Sequence, residues 1–215
     1  MTIKKLLIAN RGEIASRIIS SSHDMGISCV AIYTEADKDT PYVREADQAF
    51  KLSDSYLNSK EILDIALKSN SDAIHPGYGF LSENAAFANQ VKKLNIKWVG
   101  PSSNAIKKMG DKLTAKEIAI KANVPTLPMT SDPKKADSIG YPILVKAAAG
   151  GGGKGMRIVE KAKDLKESIK AAEREAEGGF GDKRVFLERY IKRSRHIEIQ
   201  ILGDSFGNIV HLGER

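Results

Sequence analysis

The 215 residues carry 34 lysines and arginines against 27 aspartates and glutamates, a formal net charge of +7, and 41% hydrophobic residues. This is an ordinary balance for a folded, water-soluble chain with a sizeable core. The positive excess favours anionic partners, but no basic-aromatic motif accompanies it, so a nucleic-acid binder is the least favoured class.

The one cysteine, Cys29, lies in an apolar run. It excludes an internal disulfide framework and reads as a core thiol in a reducing compartment, the cytoplasm. No apolar stretch approaches the roughly 18 residues that span a bilayer, so no membrane association is expected. The basic, then apolar start is cut short by Arg11 and Glu13 and reads as a strand rather than a signal peptide.

In chain order, Leu6 to Ala9 is a predicted buried strand, and Ile14, Ile18 and Met25 fall on one helical face after it. Cys29 to Tyr33 is the next strand and Ala49 to Leu52 a weaker one. Ile62 and Ala66, with Leu63 and Leu67, mark a helix. Asp72 to Ile74 is a short strand, Phe87, Val91 and Leu94 a helix, and Lys97 to Val99 closes the series. Alternating strand and helix implies a parallel sheet covered on both faces, an α/β domain whose ligands lie at the carboxyl ends of the strands.

The pattern changes near Gly100-Pro101. Helical stretches run to Asn123, and Val124 to Pro128 is an extended linker because each proline disfavours helix in the residue before it. Strands are predicted at Pro142 to Ala147, Met156 to Val159 and Val185 to Ile191, with a helix over Asp164 to Glu177. Ile197, Ile199 and Ile201 alternate with polar residues as a half-buried strand. Asp204 to Asn208 turns the chain into Ile209 to Leu212. This half is α+β with an antiparallel sheet.

The sharpest chemical signal is Gly150-Gly151-Gly152-Gly153-Lys154-Gly155, between two predicted strands. Bare backbone N–H groups can close around phosphate oxygens with no Cβ in the way, and the bland alternative is a flexible hairpin. It is not a P-loop, because Lys154 is followed by glycine and a strand rather than Ser or Thr and a helix. Lys146 ends the strand feeding this run. It would either snorkel out of the core or contact a phosphate, and the neighbouring glycines favour the second.

Asn10 to Ala15 occupies the first strand-to-helix turn, where a dinucleotide enzyme would carry several glycines; only Gly12 is present, which disfavours nicotinamide binding. Asn10 would cap the helix. The segment HPGYGFLSEN from His75 is a loop fixed by two glycines and a proline, with Ser82 or Asn84 capping the next helix. His75 has no second ligand at metal-site spacing.

The ordered set of Ile8 to Ala15, HPGYGFLSEN, Met109-Gly110-Asp111-Lys112, Lys146 with its glycine run, Phe186 to Tyr190 and His196 to Gln200 resembles the biotin carboxylases. The resemblance covers essentially the whole chain. It implies a Rossmann-like N-terminal domain over 1–112 and the start of an ATP-grasp module, with its glycine-rich lid, over 113–215. It implies an ATP-dependent ligase that forms carboxyphosphate from bicarbonate and carboxylates biotin. Partners would be a biotin carboxyl carrier protein or domain and a carboxyltransferase subunit, in a homo-oligomer when full length.

By resemblance, Lys112 and Lys146 contact phosphates, and so do Gly152 and Gly153. Glu188, Arg189, Tyr190 and Ile191 form the segment that reads adenine, and His196 lies at the nucleotide. The ligands for Mg2+ and the catalytic residues are expected beyond Arg215, so the 215 residues by themselves are expected to be inactive. Two other readings stay open: an ATP-binding fragment without catalysis, and another ATP-grasp ligase of the carbamoyl-phosphate synthetase kind. NRGEIA and HPGYGFLSEN argue against the latter.

Overall fold

Leu6, Leu7 and Ile8 are apolar on both faces of their strand because helices cover both sides of the sheet it centres. A computed structural model describes residues 2–149 and 156–214, in two units that divide at Val124 and Pro125. The first unit runs β1 (Lys5–Ile8), α1 (Gly12–Asp24), β2 (Ser28–Tyr33), α2 (Pro41–Glu45), β3 (Gln48–Lys51), α3 (Ser59–Lys68), β4 (Ala73–His75), α4 (Ala85–Lys93), β5 (Lys97–Trp98), α5 (Ser103–Gly110) and α6 (Lys112–Lys121). Its five strands are parallel, in the order β3-β2-β1-β4-β5.

Alternate strand residues feed two cores. Leu7, Val30, Ile32 and Ile74 pack with Ile62, Phe87 and Trp98 on one face. Leu6, Ile8, Cys29 and Ala31 pack under Ile14, Ile18, Ile19 and Tyr42 on the other. The chain runs outward from β1 to β3, then returns to β4 on the other side of β1. The carboxyl ends of β1 and β4 therefore flank the point where the strand order reverses, the usual ligand crevice of such sheets.

Helix starts follow the local chemistry. Asn58, Asn84, Ser102 and Asp111 each accept a backbone N–H of the first turn of the helix they precede. Of the two residues expected to cap α4, Asn84 does so. Met25 departs from expectation: α1 ends at Asp24, Gly26 turns the chain at φ +70°, and Met25 is left 74% exposed. Ala15, Ile19 and Ser22 complete the buried stripe begun by Ile14 and Ile18. Helix α6 packs on α5 and groups with the first unit.

The second unit contains β6 (Met129–Thr130), α7 (Ala136–Ile139), β7 (Ile143–Ala147), β8 (Arg157–Val159), α8 (Leu165–Phe180), β9 (Val185–Arg189), β10 (Ile199–Gly203) and β11 (Ile209–Glu214). An antiparallel sheet has the order β6-β9-β7-β8. Ile143, Val145, Val159 and Leu187 close one of its faces against Leu165 and Ala172 of α8 and Ala136 and Ile139 of α7.

Strands β10 and β11 pair with each other. The alternation at Ile197, Ile199 and Ile201 predicts a half-buried strand, but all three are more than half exposed. Alternation defines an apolar face, and the described residues place no second layer against it. No helix among the described residues is long and apolar enough to cross a membrane.

Candidate nucleotide site

Asn10 sits at the carboxyl end of β1, 2% exposed, and it does not cap α1. Its Nδ2 donates to the carbonyls of Pro76 (2.7 Å) and Tyr78 (2.8 Å), while its Oδ1 accepts the Arg11 N–H at 2.9 Å. The side chain is thus spent on holding the HPGYGF loop against the first turn. Tyr78 Oη donates to Glu13 from the same loop. Within the loop, His75 Nδ1 accepts the Gly77 N–H at 3.0 Å, which requires that nitrogen to be unprotonated. Burial, helped by Arg17, lowers the His75 pKa and keeps the ring neutral.

Two loop glycines separate strain from crowding. Gly77 has φ +63°, and a Cβ there would stand 2.5 Å from Asn10 Nδ2; Gly79 has φ +67° with open space around it. Gly79→Ala is expected to cost about 1–2 kcal/mol for the left-handed backbone alone. Gly77→Ala must also displace Asn10, at about 0.5–1.5 kcal/mol per hydrogen bond lost. Urea midpoints of the two variants test this, and equal losses would contradict it.

Beside this turn is a buried polar network that sequence spacing did not reveal. Asp37, 3% exposed, accepts Arg11 Nε at 2.7 Å and Tyr56 Oη at 2.5 Å, and Arg11 Nη2 pairs with its other oxygen. Tyr42 and Tyr56 hydroxyls lie 2.9 Å apart, and Tyr42 donates to the Ile32 carbonyl. The hydrogen bond from Arg11, reinforced by Tyr56, holds the Asp37 carboxyl below its ordinary range. Asp37 in turn raises the Arg11 guanidinium. Arg11 is therefore a fixed positive group at the strand ends, held by an acid 26 residues further on.

In the second unit, the face of the sheet turned away from α8 carries Leu144 and Lys146 on β7 and Phe186 and Glu188 on β9. The antiparallel register sets Lys146 opposite Phe186 and Leu144 opposite Glu188. Lys146 and Glu188 are diagonal neighbours on one face. Lys146 Nζ is 3.0 Å from Glu188 Oε2 and 5.7 Å from the centre of the Phe186 ring. Glu188 is 9% exposed. The lysine does not snorkel into open solvent; it lies along the sheet, oriented by a carboxylate and an aromatic face.

Arg189 points elsewhere: its Nη1 donates to the Ile139 carbonyl at 3.0 Å, and its backbone N–H donates to the Pro128 carbonyl at 3.1 Å. Tyr190 N–H donates to the Pro142 carbonyl at 3.1 Å, and Ile191 is exposed just past β9. His196 stands in the irregular segment before β10, its side chain 85% exposed and its ring hydrogen-bonded to Glu198 at 3.3 Å. In the first unit, Lys112 is the first residue of α6, placed by Asp111, whose carboxylate accepts the Thr114 N–H at 2.9 Å. Gly152 and Gly153, with the whole run from Gly150 to Gly155, lie outside the described residues. The structure thus joins Lys146 to Glu188 and does not draw Arg189 or His196 onto the same pair.

Two family models match the chain in succession. The biotin carboxylase N-terminal domain matches residues 2–106, and the ATP-binding domain of the carbamoyl-phosphate synthase L chain matches residues 111–215. Biotin carboxylase 1 of Bacillus subtilis is 49% identical over 226 aligned positions that take in 99% of this chain. The chain belongs to the biotin carboxylase family.

The crystal structure of a Campylobacter jejuni biotin carboxylase in complex with β,γ-ATP superposes with a TM-score of 0.95 at 47% identity, covering 99% of this chain and 51% of that one. The biotin carboxylase domain of Hydrogenobacter thermophilus 2-oxoglutarate carboxylase, solved with MgADP, ADP and bicarbonate, gives 0.94 at 43% identity, over 100% of this chain and 50% of that one. The chain spans about half the length of the Bacillus relative. The second family model bears the carbamoyl-phosphate synthase name, but the relatives matched along nearly the whole chain are carboxylases.

Proposed function

We propose that the full-length protein is an ATP-dependent ligase that activates bicarbonate as carboxyphosphate and transfers the carboxyl group to biotin. The biotin would be carried by a carrier protein or domain that visits a carboxyltransferase, in a homo-oligomeric assembly. The observation that carries this reading is the Lys146–Glu188 pair, held on the face of the β7–β9 sheet turned away from α8 in a member of this family.

In this reading Lys146 contacts a phosphate, together with Lys112, Gly152 and Gly153. The segment Glu188 to Ile191 reads adenine, largely through its backbone, while the Arg189 guanidinium is engaged with Ile139. His196, an exposed side chain, lies at the nucleotide. The domains divide at 112 in this scheme, with residues 113–215 opening the ATP-grasp module. Mg2+, when bound, would supply positive charge that offsets the charge on the phosphates. The residues in hand bind and orient: a preset cation at the phosphates keeps phosphoryl transfer from waiting on side-chain reorganisation.

Release of ADP by the full-length protein tests the proposal. It is expected to require bicarbonate and magnesium and to accelerate with free biotin. ATP cleavage indifferent to bicarbonate, or binding of NAD in preference to ATP, would overturn it.

A further inference from the structure

His23, Cys29 and Asp47 come from three elements and meet at the amino edge of the first unit's sheet, the end away from Asn10 and the HPGYGF loop. His23 is in the last turn of α1, Cys29 is the second residue of β2, and Asp47 immediately precedes β3. His23 Nε2 lies 2.9 Å from Asp47 Oδ2, and the same oxygen accepts the Cys29 backbone N–H at 2.7 Å. One ligand atom from each of the three side chains lies within 4.8 Å of the other two, the only such group of three among the described residues.

The donors are an imidazole nitrogen, a sulfur and a carboxylate oxygen. Magnesium and calcium take oxygen ligands, whereas a borderline-soft cation such as zinc accepts this mixture. Bonds of about 2.0–2.3 Å in a tetrahedral site put donor atoms roughly 3.3–3.8 Å apart. The three donor atoms lie within 4.8 Å of one another, so the exposed His23 and Asp47 side chains would have to draw in toward the buried sulfur on binding. The Cys29 N–H already pins the carboxylate, the kind of outer contact that orients a ligand before the metal arrives. His23 also lines an open cavity of about 590 Å³ with Arg17, Asp24 and Glu45, which gives an ion access to the imidazole and surrounds it with more acid than base.

We propose that His23, Cys29 and Asp47 form a binding site for one divalent cation of the zinc class, with solvent as the fourth ligand. Binding replaces the thiol proton, which leaves to solvent, and no electron is transferred. The bound ion ties the end of α1 to the starts of β2 and β3, so it stabilises this unit in proportion to its occupancy.

Tag-free, reduced, metal-stripped full-length protein titrated with Co2+ in the absence of nucleotide tests this. The expected result is one Co2+ per chain, a thiolate-to-cobalt charge-transfer band in the near ultraviolet, and loss of that band on adding stoichiometric Zn2+. Cys29→Ser should abolish the band. His23→Gln, at an exposed position, and Asp47→Asn, which can still accept the Cys29 N–H, should each weaken Co2+ binding at least about tenfold, in the range by which ligand-orienting changes alone act. Absence of the band in the unchanged protein overturns the site and leaves a sheet-edge hydrogen-bond clamp with a core thiol. A band that persists with undiminished affinity in both His23→Gln and Asp47→Asn overturns it equally.

Discussion

Lys146→Ala is expected to weaken ATP binding by roughly one to two orders of magnitude in Kd. A positioned, charge-assisted contact contributes about 1.5–3 kcal/mol, and about 1.4 kcal/mol is tenfold in affinity. Lys146 is positioned in this sense: Glu188 Oε2 holds its ammonium at 3.0 Å and the Phe186 ring lies beneath it. The substitution has a second effect, because it removes the cation beside a carboxylate that is 9% exposed.

The two effects separate in a cycle. Adding Glu188→Gln to Lys146→Ala removes the buried charge and should recover stability in urea without restoring ATP affinity. Calorimetric titration of each variant with ATP measures the second quantity. An affinity for Lys146→Ala within about twofold of the unchanged protein, well under the expected tenfold, would refute the assignment.

Asp37→Asn is expected to lower the stability of the first unit by about 2 kcal/mol near neutral pH. Asp37 is almost fully buried and accepts hydrogen bonds from both Arg11 and Tyr56. Charge-assisted bonds of this kind contribute about 1.5–3 kcal/mol each. The Arg11 side chain is 47% exposed, which discounts its share for solvent screening.

The sign of the pH dependence follows from the depressed pKa. The folded carboxyl titrates below its ordinary value of 3.8, so its contribution is present above that value and is lost as pH falls further toward the folded pKa. The unchanged protein should keep this stability on acidification down to pH 3.8 and lose it progressively below that value. Asp37→Asn has no such carboxyl to protonate, so the two urea midpoints should converge. A gap that stays constant below that value would contradict the role given to Asp37.

What the sequence determined by itself is local or ordered along the chain. Leu6 to Ile8 and Cys29 to Ile32 were legible as central strands because burial on both faces needs an unbroken apolar run. The turn after β1, the HPGYGF loop, Lys112 and Lys146 in their order were legible as a family, since each motif is contiguous. Tertiary structure decided everything that depends on which distant segments meet.

Asn10 has the chemistry of a cap, but the carbonyls of Pro76 and Tyr78 compete for it across 66 and 68 residues and win. Lys146 and Glu188 are 42 residues apart, and only the β7–β9 register makes them diagonal neighbours on one face. Arg11 with Asp37, and His23 with Cys29 and Asp47, are ordinary residues until strand order brings their elements side by side. The alternation at Ile197 to Ile201 shows the same limit from the other side. Periodicity says which face of a strand is apolar, and only the packing of another layer says whether that face is buried.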